Sequence, residues 1–137
     1  MKSTEHTEVG SELPALEIKK ITRTTLALFG GASGDHNPMH IDIDVAKSAG
    51  LEDVFAHGML SMAYLGRLLT NWVPQESIRS YRVRFASITP VLAKPTATGK
   101  VVAIEDVDGE RRASVELTVI LADGSVTLTG DAVVAIN

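Results

Sequence analysis

The sequence predicts an α+β fold in one domain: a helical first half, then an antiparallel sheet of about five strands wrapped around one long buried helix. Three observations predict it. Residues 58–72 carry Met59, Leu60, Met62, Ala63, Tyr64, Leu65, Leu68, Leu69 and Trp72, which cover most of a helix's circumference. A helix apolar nearly all round must be buried on most sides. After it, apolar and polar residues alternate, the signature of half-buried antiparallel strands. Asp108-Gly109 and Asp123-Gly124 fall between the alternating runs, and Asp-Gly is a strong hairpin signal. The 137 residues suit a single core, so 1–137 is taken as one domain, with residues 1–12 a loosely held polar segment.

Each element follows in order. Residues 16–22 can form a short strand. Thr22 or Thr24 can cap a short helix carrying Leu26, Leu28 and Phe29, which Gly30-Gly31 should stop. Asp42 is a suitable N-cap for a helix through Ser48, with Gly50 just past its end. The apolar helix over 58–72 would be roughly 22 Å long at 1.5 Å per residue, and Pro74 ends it. Tyr81, Val83 and Phe85 then face one way, against Ser80, Arg82 and Arg84. Val115, Leu117, Val119 and Leu121 repeat the alternation, as do Val126, Leu128, Ala132, Val134 and Ile136. Unpaired edge strands of such a sheet could join a second copy, so a dimer is expected.

Composition removes several classes of function. The net charge is −4, which argues against nucleic acid held by phosphate neutralisation. The chain has no cysteine, so it has no disulfide, thiolate metal site or Cys nucleophile. The first residues are polar and acidic, unlike a signal peptide, and no run approaches the roughly 20 apolar residues of a membrane span. A cytoplasmic protein is expected, with no membrane partner.

The chemistry concentrates in Asp35-His36-Asn37-Pro38-Met39-His40, displayed after Gly30-Gly31-Ala32-Ser33-Gly34. Asp35 and His40 offer a strong proton acceptor and a group that exchanges protons near neutrality. If both hold one water, it is polarised from two sides. The bland alternative is an Asx-type turn at Asp35 and Asn37, with His40 a satisfied core histidine. His36 and His40 have the spacing of helical metal ligands, but Pro38 opposes a helix there. Asp42 and Asp44 lack the remaining offsets of a calcium loop, so no metal is expected. Seventeen residues beyond His40, His57-Gly58 opens the apolar helix. Its first N–H groups have no internal acceptor, and Gly58 would let a ligand reach them. A carbonyl turning into an oxyanion could bind there. The bland alternative is tight packing at Gly58 and a helix-start role for His57.

With those residues in view, the segment from Phe29 to His40, with Ala46 six residues on, resembles the hydratase signature of the (R)-specific enoyl-CoA hydratases and MaoC-like dehydratases. Ala56-His57-Gly58-Met59-Leu60 resembles that family's second block. Within the family the chain resembles the catalytic subunits of mycobacterial (3R)-hydroxyacyl-carrier-protein dehydratases. The resemblance covers nearly the whole chain and implies a hot dog fold. It implies reversible syn addition of water to a trans-2-enoyl thioester, giving the (3R)-3-hydroxyacyl thioester. Carried over, Asp35 and His40 are the catalytic pair. Gly58 supplies the backbone donor to the thioester carbonyl, and Asn37 fixes the loop. The tunnel that the resemblance implies would be walled by Met59, Met62, Tyr64 and Leu65, where adaptable Met suits variable chains, with core packing the bland alternative for each. No cofactor is implied beyond the CoA or phosphopantetheine of the substrate.

The same resemblance implies an acyl thioester as ligand, with an acyl carrier protein as candidate partner. It implies a homodimer or higher assembly, or a heterodimer with a second hot dog chain. Arg79, Arg82, Arg84, Lys94 and Lys100 could meet CoA phosphates or an acidic carrier, although their alternation equally describes a solvated sheet face. A hot dog thioesterase and a non-catalytic acyl-binding subunit are the competing readings. The chain departs from the family at Ala32, at Met39, and at Ala93-Lys94-Pro95, where many relatives carry a Gly-Asp pair. His36 occupies a variable position and receives no catalytic role.

Overall fold

Helix α3 (Gly58–Thr70) is the axis on which the structure is built. The computed structural model describes residues 4–137. Leu60, Leu65, Leu68 and Leu69 of α3 are buried, packed in one core with Val101, Val115, Leu117, Val119, Leu128 and Ala132. Burying each such side chain is worth about 1.5–3 kcal/mol. The helix ends at Thr70, with Asn71 as its cap, so Trp72 lies past the helix expected over 58–72, though it is still buried.

The sheet around α3 contains β1 (Leu16–Glu17), β2 (Ile78–Phe85), β3 (Thr96–Val107), β4 (Glu110–Ile120) and β5 (Val126–Ala135). Their order is β1-β3-β4-β5-β2, antiparallel throughout. The α+β class, the five strands and the curl around one helix are those of the hot dog arrangement. Asp108 (φ 52°) and Gly109 (φ 79°) join β3 to β4. Positive φ at both positions is the two-residue turn that Asp-Gly favours. Register shifts at Val101/Ala103 and Val119/Ile120 let the long strands bend. Between β2 and β5, a Cβ at Gly130 would lie 2.4 Å from the Arg82 carbonyl oxygen, so these two strands approach where only glycine fits.

The strand expected over 16–22 is shorter, reduced to Leu16–Glu17. The chain beyond it still bonds to the loop before β3: Ile18 N–H to Pro95 O, Ile21 N–H to Ala93 O, and Leu92 N–H to Ile21 O. Pro95 has no N–H to return to Ile18, so no regular ladder forms there. Of the 1–12 segment, residues 1–3 lie outside the described residues. Gly10 N–H bonds Val101 O, Leu13 N–H bonds Gly99 O, and Asn137 N–H donates to the Thr4 hydroxyl. Among the described residues no helix is long and apolar enough to cross a membrane.

Two further helices set the site. α1 (Arg23–Ser33) starts at Thr22, whose hydroxyl accepts from Thr25 N–H, and α2 (Ile43–Ser48) starts at Asp42, whose carboxylate accepts from Asp44 N–H. Gly50 follows α2 with φ 89°. Helix α1 does not stop at Gly30-Gly31. It runs through them and ends at Gly34, whose φ is 76°.

Candidate active site

The path of α1 delivers the Asp35 loop to the start of α3. Gly30 is buried inside α1, and a Cβ there would lie 3.4 Å from the Asp35 carbonyl oxygen and 3.8 Å from His57 Nε2. Gly30 therefore continues the helix, with the loop and His57 at van der Waals distance from it, which corrects the expected stop. A glycine inside a helix costs roughly 0.5–1 kcal/mol; here the loop and His57 sit against it.

The loop is fixed by its own short polar side chains. Asp35 Oδ1 accepts from Asn37 N–H at 3.2 Å, and Asn37 Oδ1 accepts from Met39 N–H at 3.1 Å. Pro38 opens a single 3₁₀ turn, Pro38–His40, at the first position, where its missing N–H is not needed. Asn37 thus caps the turn that carries His40. His36, between the two candidates, is exposed and takes part in none of these bonds.

His40 is buried, and its Nδ1 lies 2.7 Å from the Phe55 carbonyl oxygen. A carbonyl can only accept, so Nδ1 carries the proton, and in the neutral ring Nε2 is left with a free lone pair. Phe55 also meets the ring edge-on at 4.7 Å. The Asx turn of the bland reading is present, but His40 has only one nitrogen engaged.

His57 is the residue that sequence reasoning undervalued. It is fully buried. Nε2 donates to the Asp35 carbonyl at 3.1 Å, and the ring stacks on His40 at 4.0 Å with 29° between planes. Phe29 packs edge-on against it at 4.9 Å. Its Nδ1 is buried with no hydrogen-bond partner. Burial holds the ring's pKa below the ordinary histidine value, and the nearby His40 acts in the same direction, while the bond to Asp35 O opposes them. The sequence signal was the His directly before Gly58; its burial was not readable from spacing.

Asp35, His40 and His57 bring ligand atoms within 4.8 Å of one another. Two stacked imidazoles run their nitrogens side by side, whereas a metal needs lone pairs that converge. His57 Nε2 is already committed as a donor. The donor set therefore suits hydrogen bonding better than coordination.

Gly58 begins α3, beside an open cleft of about 260 Å³ lined by Phe55, Gly58, Ser61, Phe85, Ile88 and Thr89 among others. The Phe85 ring covers Gly58 so closely that a Cβ would sit 2.9 Å from Cε1. Phe85 itself is 53% exposed, so its ring has room to swing. Ser61 and Thr89 hydroxyls meet at 3.4 Å in the cleft wall. Met59 is exposed on the first turn of α3. Met62 and Tyr64 are half-buried against the core, and Leu65 is fully buried in it. None of the four lines this cleft.

The basic residues divide. Arg79 forms a two-pronged pair with Glu110, and Arg82 pairs with Asp131. Arg84, Lys94 and Lys100 take part in no ion pair among the described residues. The loop that lacks the family's Gly-Asp pair places Leu92 at φ 71°, and its Thr89 carbonyl accepts from Ala56 N–H at 2.8 Å.

Comparison with known proteins points one way. The family described as MaoC like domain matches residues 5–124. The chain is 32% identical over 106 residues to 3-hydroxyacyl-thioester dehydratase Z of Mycobacterium tuberculosis, covering 72% of this chain and 70% of that protein. It is 28% identical over 118 residues to the (R)-specific enoyl-CoA hydratase of Rhodospirillum rubrum, covering 86% and 81%. Among solved structures, the (R)-hydratase from A. caviae involved in PHA biosynthesis superposes with a TM-score of 0.85 at 26% identity, covering 97% of this chain and 99% of that one. One chain of the ChsH1-ChsH2 complex from Mycobacterium tuberculosis has the same fold, with a TM-score of 0.82 at 23% identity, covering 96% and 99%.

Proposed function

Because this chain belongs to the MaoC-like domain family, we propose that it is a hydro-lyase that reversibly hydrates trans-2-enoyl thioesters to (3R)-3-hydroxyacyl thioesters. The observation that carries the proposal is the spacing of Asp35 and His40, whose ligand atoms lie within 4.8 Å. Two acceptors that each hold one water proton at ~2.8 Å stand ~4.4 Å apart for the bent shape of water. In this reading one water molecule is held between the Asp35 carboxylate and the His40 nitrogen that Phe55 leaves free.

The residues then divide the work. Asp35 takes a proton from the water as its oxygen attacks C3. One water O–H bond breaks and one C3–O bond forms. The electron pair of the C2–C3 double bond moves toward the thioester carbonyl, whose oxygen accepts from Gly58 N–H at the start of α3. The proton returns to C2 from the same face, from the pair of groups that held the water, with His40 keeping the water in place. Addition is therefore syn. Dehydration runs the same steps backwards. Asn37 acts by holding the turn that spaces the two acceptors. The apolar cleft beside Gly58 receives the acyl chain, and Met59, exposed on the same helix start, is offered to the pantetheine arm. Met62, half-buried and with its carbonyl accepting from the Tyr81 hydroxyl, shapes the wall behind that start. The only carrier group needed is the substrate's own CoA or phosphopantetheine arm, and no metal ion takes part.

A second chain is expected at β2. Its eight residues Ile78–Phe85 pair with β5 on one side and with no described strand on the other, and Phe85, the cover of Gly58, lies at its end. A homodimer, or a heterodimer with another hot dog chain, would extend the sheet there. The test is to incubate the protein with crotonyl-CoA, follow loss of enoyl absorbance and determine product configuration. A (3R) product supports the proposal. Free thiol release without hydration would make the protein a thioesterase. Neither reaction over a series of acyl chains, on CoA and on carrier protein, would leave an acyl-binding subunit.

A further inference from the structure

We infer that His57 is a positioning residue that locks the water-holding loop to the carbonyl-binding start of α3. The inference rests on the hydration reading above, and nothing in that chemistry requires His57 itself. Its ring is the physical link between the two halves of the site. At one end the Asp35 carbonyl takes the Nε2 proton at 3.1 Å. At the other end the residue is the cap of α3, covalently next to Gly58, and its own carbonyl accepts from Leu60 N–H. The distance from the Asp35 backbone to the Gly58 N–H is therefore set by one imidazole.

The same ring sets His40. It stacks on one face of that imidazole at 4.0 Å, while Phe55 closes an edge and holds Nδ1. His40 is left with its Nε2 lone pair aimed by contacts on several sides. The protonation state of His57 follows from its surroundings. Nδ1 is buried and unpartnered, so a proton there would bury an N–H with no acceptor. The ring stays neutral with its proton on Nε2, and no charge sits against His40. Among the described residues, His40 and Asp35 are the charged or titratable groups that act on the ring.

This geometry separates three substitutions. Gln places its amide nitrogen where His carries Nε2 and can still donate to the Asp35 carbonyl. Asn places its amide nitrogen where His carries Nδ1 and cannot. Leu fills the space and donates nothing. With crotonyl-CoA as substrate, His57→Asn and His57→Leu should each lower kcat about 30–100-fold, the scale of a misplacement near 1 Å. KM should change less than about threefold, because the substrate-contacting groups remain. His57→Gln should stay within about tenfold of the wild type. A filler role alone would give the opposite order, with Leu the mildest change. Folded His57→Leu or His57→Asn at wild-type kcat, or His57→Gln as slow as His57→Leu, would overturn the inference.

A readout free of turnover keeps the inference testable if the variants do not fold. Nitrogen-15 NMR of the wild-type protein should show a neutral His57 ring protonated on Nε2 at pH 7. An Nδ1–H tautomer or a charged ring would overturn the inference. Wild-type protein inactive on every enoyl thioester would instead remove the proposed function, and the NMR result would still judge the lock.

Discussion

If Asp35 and His40 grip one water, removing either grip should abolish nearly the same thing, and removing both should add little. The geometry selects the substitutions. Asp35→Asn keeps an oxygen to accept from Asn37 N–H at 3.2 Å, so the turn survives while the proton acceptor is lost. His40→Asn keeps a donor near the Nδ1 position for the Phe55 carbonyl at 2.7 Å, while the atom facing the water disappears. General acid–base groups contribute about 10²–10⁴-fold, so each variant should lose at least ~100-fold in kcat, about 2.7 kcal/mol at 1.36 kcal/mol per tenfold. Independent groups would make the double variant ~10⁴-fold slower. Groups sharing a water should leave it within about threefold of the worse single variant, a coupling energy near 2–3 kcal/mol. The assay is enoyl absorbance at saturating crotonyl-CoA, with circular dichroism to show that each variant is folded. A folded single variant with near-normal turnover, or losses that multiply, would refute the shared-water reasoning.

Three other outcomes are expected. Gly130→Ala would place a Cβ 2.4 Å from the Arg82 carbonyl oxygen, where backbone cannot rotate aside, so thermal unfolding should show a loss of about 1–3 kcal/mol or more; an unchanged Tm would mean that β2 and β5 part easily. Arg79 and Arg112 hold the Glu110 carboxyl at about 2, below its ordinary 4.5, so its contribution is full above about pH 4.5 and is lost as pH falls toward 2. Denaturant unfolding at pH 6 and pH 3 should therefore show wild type losing its advantage over Glu110→Gln at the lower pH, and an advantage independent of pH would contradict the pairing. His36→Ala should keep turnover within about twofold and stability within about 0.5 kcal/mol, as for exposed residues without partners; a large loss of rate would give His36 a role in the site.

Much of this was legible in the sequence where a local cause sufficed. The Asp108-Gly109 turn needs two positive φ values and carries the residues that tolerate them. Asp42 announces α2 because its carboxylate caps the first turn. The Asp35 to His40 loop was readable because Asx turns and a proline act within a few residues. The failures share a different cause. Gly30-Gly31 looked like a helix stop, and nothing local says that the loop and His57 will lie against a continuing helix. The strand over 16–22 was cut short where it meets Pro95, more than 70 residues away. His57 is the helix-start residue its position indicated, but its burial against His40 and Phe29 arises only when α1, the loop and α3 meet.

The site's geometry is referenced to main chain more than to other side chains. The Phe55 carbonyl orients His40, and the Asp35 carbonyl orients His57. The Asn37 and Met39 N–H groups set the loop. Segments 35–40 and 55–58 are therefore held as a pair, tied through one another's backbone. The cleft wall is different in kind. Phe85 and Ile88 are exposed apolar side chains, and they make none of the polar bonds that position Asp35 or His40. Under the proposed function, substitutions at Phe85 and Ile88 should reshape the cleft beside Gly58 while leaving the bonds that position Asp35 and His40 intact. On the hydration proposed above, the chemistry would reside in 35–40 and at Gly58, apart from the apolar cleft wall formed along 85–89.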